Sequence, residues 1–186
     1  MGVARVPDTR LDRLTALFEP KKHVPATLEV TELTGHGGAS ALVDVSGFRN
    51  AHALLHLLRM FTDDRVPHAS GSVDPLSDIQ AMEDELILAD LAVAERRLER
   101  IQQDRKKGKS RELDEEQRVI ETCRSALEEG QALRTLSLEG DDTKRLRGFS
   151  FLSAKPQLIV LNLDEADVTD SSGAVERAGL SGALSG

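Results

Sequence analysis

Residues 154–167 read "AKPQLIVLNLDEAD", an apolar run that stops on Asn162-Leu163-Asp164-Glu165. A short apolar run bounded by polar residues is the pattern of a fully buried strand. Open α/β sheets bind their ligands at the carboxyl ends of such strands. The tetrapeptide is therefore either a ligand-reading loop or an ordinary strand-end turn, where Asn and Asp are common. The residues alone leave both open.

Upstream of this strand the pattern is helical. Residues 73–107, "VDPLSDIQAMEDELILADLAVAERRLERIQQDRKK", contain no Gly and one early Pro. Ile87, Leu91, Ala94, Leu98 and Ile101 follow the 4-3-4-3 spacing of a coiled-coil seam. After the breaker "GKS" (108–110) a second helical stretch carries Leu113, Ile120, Cys123 and Leu127 and ends at Gly130. Two long helices joined by a tight Gly turn predict an antiparallel hairpin, and the charge on their other faces makes it a projecting arm. "DDTKRLRGFSFL" (141–152) predicts a short helix leading back to the strand.

Nearer the N-terminus, "VARV" (3–6) is a short apolar fragment stopped by Pro7-Asp8. "DTRLDRLTALF" then places Leu11, Leu14, Leu17 and Phe18 on one helical face, with Asp8 as the N-cap. "ATLEVTEL" (26–33) alternates and is rich in β-formers, so it predicts a strand, and "TGHGGAS" (34–40) a Gly-rich loop. "AHALLHLLRMF" (51–61) is strand or helix by periodicity alone. The tail from Asp170 is rich in Ser, Gly and Ala and predicts weak order.

Composition narrows the function. The chain has 186 residues, 39% hydrophobic and 30% charged, with a formal net charge of −8. Five Phe with no Trp or Tyr argue against readers that stack nucleic-acid bases on aromatic platforms. The negative charge argues against binding nucleic acid or anionic membrane over the whole surface, while leaving room for a local basic patch. Cys123 is the single cysteine, so no disulfide framework or Cys-based zinc site forms within one chain. No stretch of 18 apolar residues, no signal-peptide core and no myristoylation pattern is present, which predicts a cytoplasmic protein without membrane attachment.

Together "VPDTRLDRL", "PKKHVPATLEV", "HLLRMF", "VDPLSDIQAMEDELILADLAVAERRLERI" and "AKPQLIVLNLDE" resemble the YchF-type Obg-like ATPases, a branch of the translation-factor-related P-loop GTPases. The likeness runs over most of residues 3–165. It implies an α/β fold: an incomplete P-loop GTPase-like sheet with an inserted antiparallel coiled-coil hairpin. The expected organisation is a GTPase-like α/β part at 1–73, the helical arm at 74–131, the α/β part continued at 132–170, and a weakly ordered tail at 171–186. In the family a TGS domain follows the nucleotide-binding domain.

The resemblance also implies site residues. GTPases read guanine through an Asn-Lys-x-Asp loop, which this family replaces with Asn-x-x-Glu, so that adenine is accepted. Carried over, Asn162 contacts the base edge, Glu165 holds the altered specificity position, and Leu163 lies beside the ring. The implied cofactors are ATP, with GTP as the alternative, and Mg2+. The family carries Asp-x-Ala-Gly after the strand matching "TLEV"; here the residues are Glu32-Leu33-Thr34-Gly35. Glu32 would hold Mg2+ from a carboxylate one methylene further out, and the Gly35 amide would face the γ-phosphate. His36 stands where many GTPases hold a water-orienting Gln, with an ordinary loop histidine as the alternative. "DVSG" (44–47) and "SAK" (153–155) match other GTPase motifs in the wrong order and read as coincidental.

No segment fits G-x-x-x-x-G-K-[ST], the loop whose amides and Lys hold the β- and γ-phosphates. The chain is accordingly expected to start where a first strand, phosphate loop and first helix would have ended, as a truncated or internal piece. Without that strand, "TLEV" and "HALLHLLRMF" are expected to pair directly or to recruit "ALVDV" (41–45). At the arm's tip, Arg105, Lys106, Lys107, Lys109 and Arg111 put five cations in seven residues. They are either a solvated turn near a helix C-terminus or a contact to ribosomal RNA, which the family's ribosome association implies. Two functions follow: an ATP-preferring nucleotide-binding protein whose own hydrolysis is lost, or a non-catalytic interaction module acting through the arm.

Overall fold

The computed structural model describes residues 1–32, 45–68, 71–106, 108 and 110–180. The chain divides into two compact units, Met1–Gly35 and His36–Gly186. Each is described by itself.

In the first unit, strand β1 (Gly2–Arg5) pairs antiparallel with β2 (Thr27–Val30), with Gly2 opposite Val30 and Arg5 opposite Thr27. Between them runs helix α1 (Thr9–Phe18). Asp8 caps it as expected, its carboxylate accepting the Arg10 N–H at 2.9 Å. The helix ends where Glu19 turns into the left-handed region (φ 40°) and Pro20 follows. Pairing of β2 with β1 replaces the expected pairing of "TLEV" with the strand in 51–61. The connection through α1 brings the two strands together so that they satisfy each other's backbone groups. Residues 41–44 of the expected substitute lie outside the described residues. The apolar side of α1 is exposed, with Leu17 at 73% and Phe18 at 71% accessibility.

The second unit settles the ambiguity of residues 51–61 in favour of a strand. β3 (Leu54–Arg59) pairs in parallel with β4 (Gln157–Asn162), from Leu54 opposite Gln157 to Arg59 opposite Asn162. The nearly 100 residues between them hold the crossover. Helix α2 (Pro75–Arg105) starts on Asp74, whose side chain accepts the Ser77 N–H, with Pro75 in the first turn. Helix α3 (Arg111–Glu128) runs back along it: Arg97 near the middle of α2 reaches Glu116, and Arg105 at its end reaches Asp114. Gly130 (φ 73°) ends α3 in the left-handed conformation, and the Gln131 N–H returns to the Ala126 carbonyl at 2.8 Å.

The expected seam carries the core of this pair. Ile87, Ala94 and Leu98 of α2 pack with Ile120, Cys123, Ala126 and Leu127 of α3, and Leu133 and Phe151 close the cluster. Burial pushes the Cys123 thiol up to about 11, so it is a neutral apolar filler at neutral pH. The next residue round α2, Leu86, packs with Val45 and Leu152 in a second cluster bordered by Phe48, Leu54 and Met82. Helix α2 therefore has two apolar sides, one toward α3 and one toward the sheet.

The short helix expected in 141–152 is α4 (Gly140–Leu146), continued as a 3-10 turn at Arg147–Phe149. Where the tail was expected to be weakly ordered, Ser171–Arg177 form helix α5, capped by Asp170. Its Ala174 and Ala178 are fully buried, small side chains that let the helix approach closely. Gly179 (φ 69°) lies so near Leu76 of α2 that a Cβ there would come within 2.7 Å of the Leu76 Cδ2. Residues 181–186 lie outside the described residues.

A polar knot ties α2 to the entrance of β4. Asp90, fully buried, sits among the apolar residues of "LILADLAVA". Its carboxylate accepts the Leu152 N–H (2.9 Å), the Ser153 N–H (2.7 Å) and the Ser153 hydroxyl (2.9 Å). Arg49, in the 3-10 turn Val45–Asn50, completes the set at 3.3 Å and also donates to the Ala89 and Ser150 carbonyls. Ser150 adopts φ 50°, a left-handed turn that aims Phe151–Ser153 beneath α2. Removing one partner of a buried charged network leaves the rest unpaired. Asp90→Ala is expected to lower stability by about 3–5 kcal/mol, measured as a fall in the urea midpoint.

Candidate functional site

The parallel pair β3–β4 directs both following loops to one edge, the carboxyl edge where open α/β sheets take ligands. β4 is delivered there by "SAK". The Ser153 hydroxyl is held by Asp90, and the Ser153 carbonyl and side-chain oxygen accept the Arg134 and Leu133 N–H groups at 2.9 and 3.3 Å. Lys155 donates Nζ to the Arg49 and Ala51 carbonyls at 3.0 and 2.7 Å, and burial holds its pKa below the usual lysine value. The motif set aside as coincidental thus anchors the strand.

At the far end of β4, the Asn162 carbonyl accepts the Met60 N–H at 2.9 Å, and the Asn162 residue is exposed. Leu163 is half-buried, and Asp164 and Glu165 are exposed. The turn closes with the Asp167 N–H on the Asp164 carbonyl at 3.0 Å. Asp164 also accepts the Thr62 N–H from the neighbouring loop at 3.4 Å. An Asn amide offers one donor and one acceptor face, which matches the N7 acceptor and N6 amino donor of adenine. A carboxylate only accepts, and so suits an exocyclic amino group.

Glu32 follows β2 in the unit Met1–Gly35 and is exposed. Gly35 and His36 lie outside the described residues, as do Lys107 and Lys109. Among the described residues no group of three or more His, Cys, Asp or Glu side chains converges as a metal ligand set. Of the tip cations, Arg105 is bonded to Asp114 and Arg111 to Glu115, the latter at 2.9 Å, and Lys106 is exposed.

Sequence reasoning missed Arg59, Asp90 and the anchoring role of Ser153 and Lys155. The signals were present. Asp90 falls three residues after Ile87 and four before Ala94, on the apolar stripe itself, and Arg59 interrupts the apolar run "HLLRMF".

The edge loop and the helical pair spliced between two parallel strands define the class: a mixed α/β protein of the GTPase type. A solved structure of the Schizosaccharomyces pombe YchF GTPase matches with a TM-score of 0.73 and 26% identity, over 95% of this chain and 50% of that one. The chain is 34% identical to the ribosome-binding ATPase YchF of Bacillus subtilis over 179 residues, 93% of this chain and 49% of the relative. To the Obg-like ATPase 1 of Oryza sativa subsp. indica it is 31% identical over 168 residues, 87% of this chain and 43% of the relative. No protein-family model matches the chain. By sequence and fold the chain is similar to the YchF-type Obg-like ATPases over most of its own length, and it spans about half the length of the curated relatives it matches. No helix among the described residues is long and apolar enough to cross a membrane.

Because the Asn162 and Glu165 side chains are exposed, Asn162→Ala and Glu165→Ala are expected to leave the unfolding free energy from urea denaturation within about 0.5 kcal/mol of the parent. A larger loss would show that these side chains belong to the fold.

Proposed function

We propose that the chain supplies the base-reading part of an adenine-nucleotide site, as a YchF-type, ATP-preferring nucleotide-binding protein that works at the ribosome. The observation that carries this reading is the NLDE tetrapeptide, located at the carboxyl end of β4 with Asn162 and Glu165 exposed. Asn162 takes the base edge, Glu165 accepts from the exocyclic amine, and half-buried Leu163 lies beside the ring. The relatives' printed names, ribosome-binding ATPase and GTPase, support the nucleotide class and the ribosomal partner. Mg2+ would enter with the phosphates. When bound, the nucleotide supplies the phosphoryl group. This sequence contains no G-x-x-x-x-G-K-[ST] pattern, and phosphate positioning and electrostatics provide nearly all catalysis in such chemistry. We therefore assign the chain alone weak nucleotide binding and negligible hydrolysis.

The helical pair α2–α3 acts in this reading as a coiled-coil arm whose basic tip contacts ribosomal RNA. A second reading, a non-catalytic module acting through the arm alone, is favoured by the large buried cluster that joins α2 to α3. Calorimetric titration separates the two. Preference for ATP over GTP that disappears in Glu165→Ala supports base reading, and no binding of either nucleotide supports the module. For the tip, Lys106→Ala/Lys107→Ala is expected to flatten the salt dependence of ribosome affinity by about 0.7–0.9 in log–log slope per charge removed. An unchanged slope would remove RNA contact from the arm.

A further inference from the structure

The loop that follows β3 is built around one side chain. Arg59, the last residue of β3, donates Nε to the Phe61 carbonyl (3.0 Å), one terminal nitrogen to the Val66 carbonyl (2.7 Å) and the other to the Asp63 carbonyl (3.1 Å). Its guanidinium also lies over the Phe61 ring, 4.5 Å from the centroid. Three carbonyls from three different residues are thus gathered onto one planar cation, a geometry that a lysine ammonium cannot copy. The turn inside the loop is closed by the Val66 N–H on the Asp63 carbonyl at 3.0 Å and by Arg65 on the Asp63 carboxylate at 2.8 Å.

The place of this loop gives it a further role. Arg59 sits opposite Asn162 in the sheet register. Two alternate amides of its loop reach across to the tetrapeptide: Met60 to the Asn162 carbonyl at 2.9 Å and Thr62 to the Asp164 carboxylate at 3.4 Å. These two contacts bracket Leu163. Asp164 is therefore committed to the neighbouring loop, and Asn162 and Glu165, on either side of it, remain to face a ligand. We propose that Arg59 is a positioning residue for base recognition: by folding residues 60–66 onto its guanidinium it presents the Met60 and Thr62 amides that set the spacing of Asn162 and Glu165. This rests on the adenine-reading function proposed above.

The test compares Arg59→Lys and Asp164→Ala with the parent chain, using ATP and GTP affinities from calorimetry and amide hydrogen exchange at Thr62. Loss of general stability would weaken both nucleotides together, whereas loss of spacing changes their ratio. Arg59→Lys is expected to lower the ATP:GTP affinity ratio roughly tenfold, the scale of one or two hydrogen bonds, and to speed exchange at Thr62. Asp164→Ala is expected to move both readouts the same way by a smaller factor. If Arg59→Lys fails to fold, Asp164→Ala decides. A ratio that stays within about twofold of the parent in the folded variant overturns the positioning role and leaves base reading standing. A parent chain with no ATP preference overturns both.

Discussion

The buried carboxylate of Asp90 is the constraint on which the larger unit depends. A charge without access to water is tolerated only when it is paired and hydrogen-bonded. Here two backbone amides, one hydroxyl and one guanidinium meet that condition. Those partners come from the 3-10 turn before β3 and from the segment that enters β4. Satisfying one side chain of α2 therefore fixes where both parallel strands begin. Lys155 repeats the logic one turn of chain later, its ammonium closing on two carbonyls of the same 3-10 turn region.

Apolar packing is organised around the same helix. One side of α2 joins α3 in a cluster with Phe151, and the adjacent side carries Leu86 onto Val45 and Leu152. Phe151 and Leu152 are neighbours in sequence yet enter different clusters. The stacked rings of Phe149 and Phe151, 5.5 Å apart, extend the first cluster toward α4. The far side of the β3–β4 pair stays open among the described residues, with Leu55, Leu57 and Leu158 each more than half exposed.

In the proposed reading, base recognition sits at the end of a chain of positioning. Asp90 and Lys155 set the start of β4, the ladder with β3 sets its direction, and the loops at the carboxyl edge brace each other through Met60, Thr62 and Asp164. The polar tetrapeptide that ends β4 is held by its backbone and by Asp164, and this division leaves Asn162 and Glu165 free of internal demands. A loop whose backbone is held by its neighbours can present side chains without ordering them anew for each ligand.

Much of this was legible in the sequence because it depends on periodicity and local chemistry. The seam of α2 and α3, the Asp8 cap, the Gly130 stop and the apolar run of β4 each follow from residues within one or two turns of chain. The NLDE tetrapeptide of the proposed site marks its own place after a strand, but nothing local shows that the Asp164 carboxylate takes the Thr62 N–H of the next loop. Asp90 and Lys155 were hidden because their partners lie 41–63 and 104–106 residues away, while Arg59 bonds backbone carbonyls within seven residues, which carry no mark in the sequence. Strand partners were equally hidden, because β2 and β3 carry no mark of which backbone will satisfy them. Sequence determined which segments are helix and strand and which tetrapeptide ends β4. Only the tertiary structure decided which polar groups are buried and by whom they are satisfied, because burial raises the cost of an unpaired charge and so selects partners across the fold.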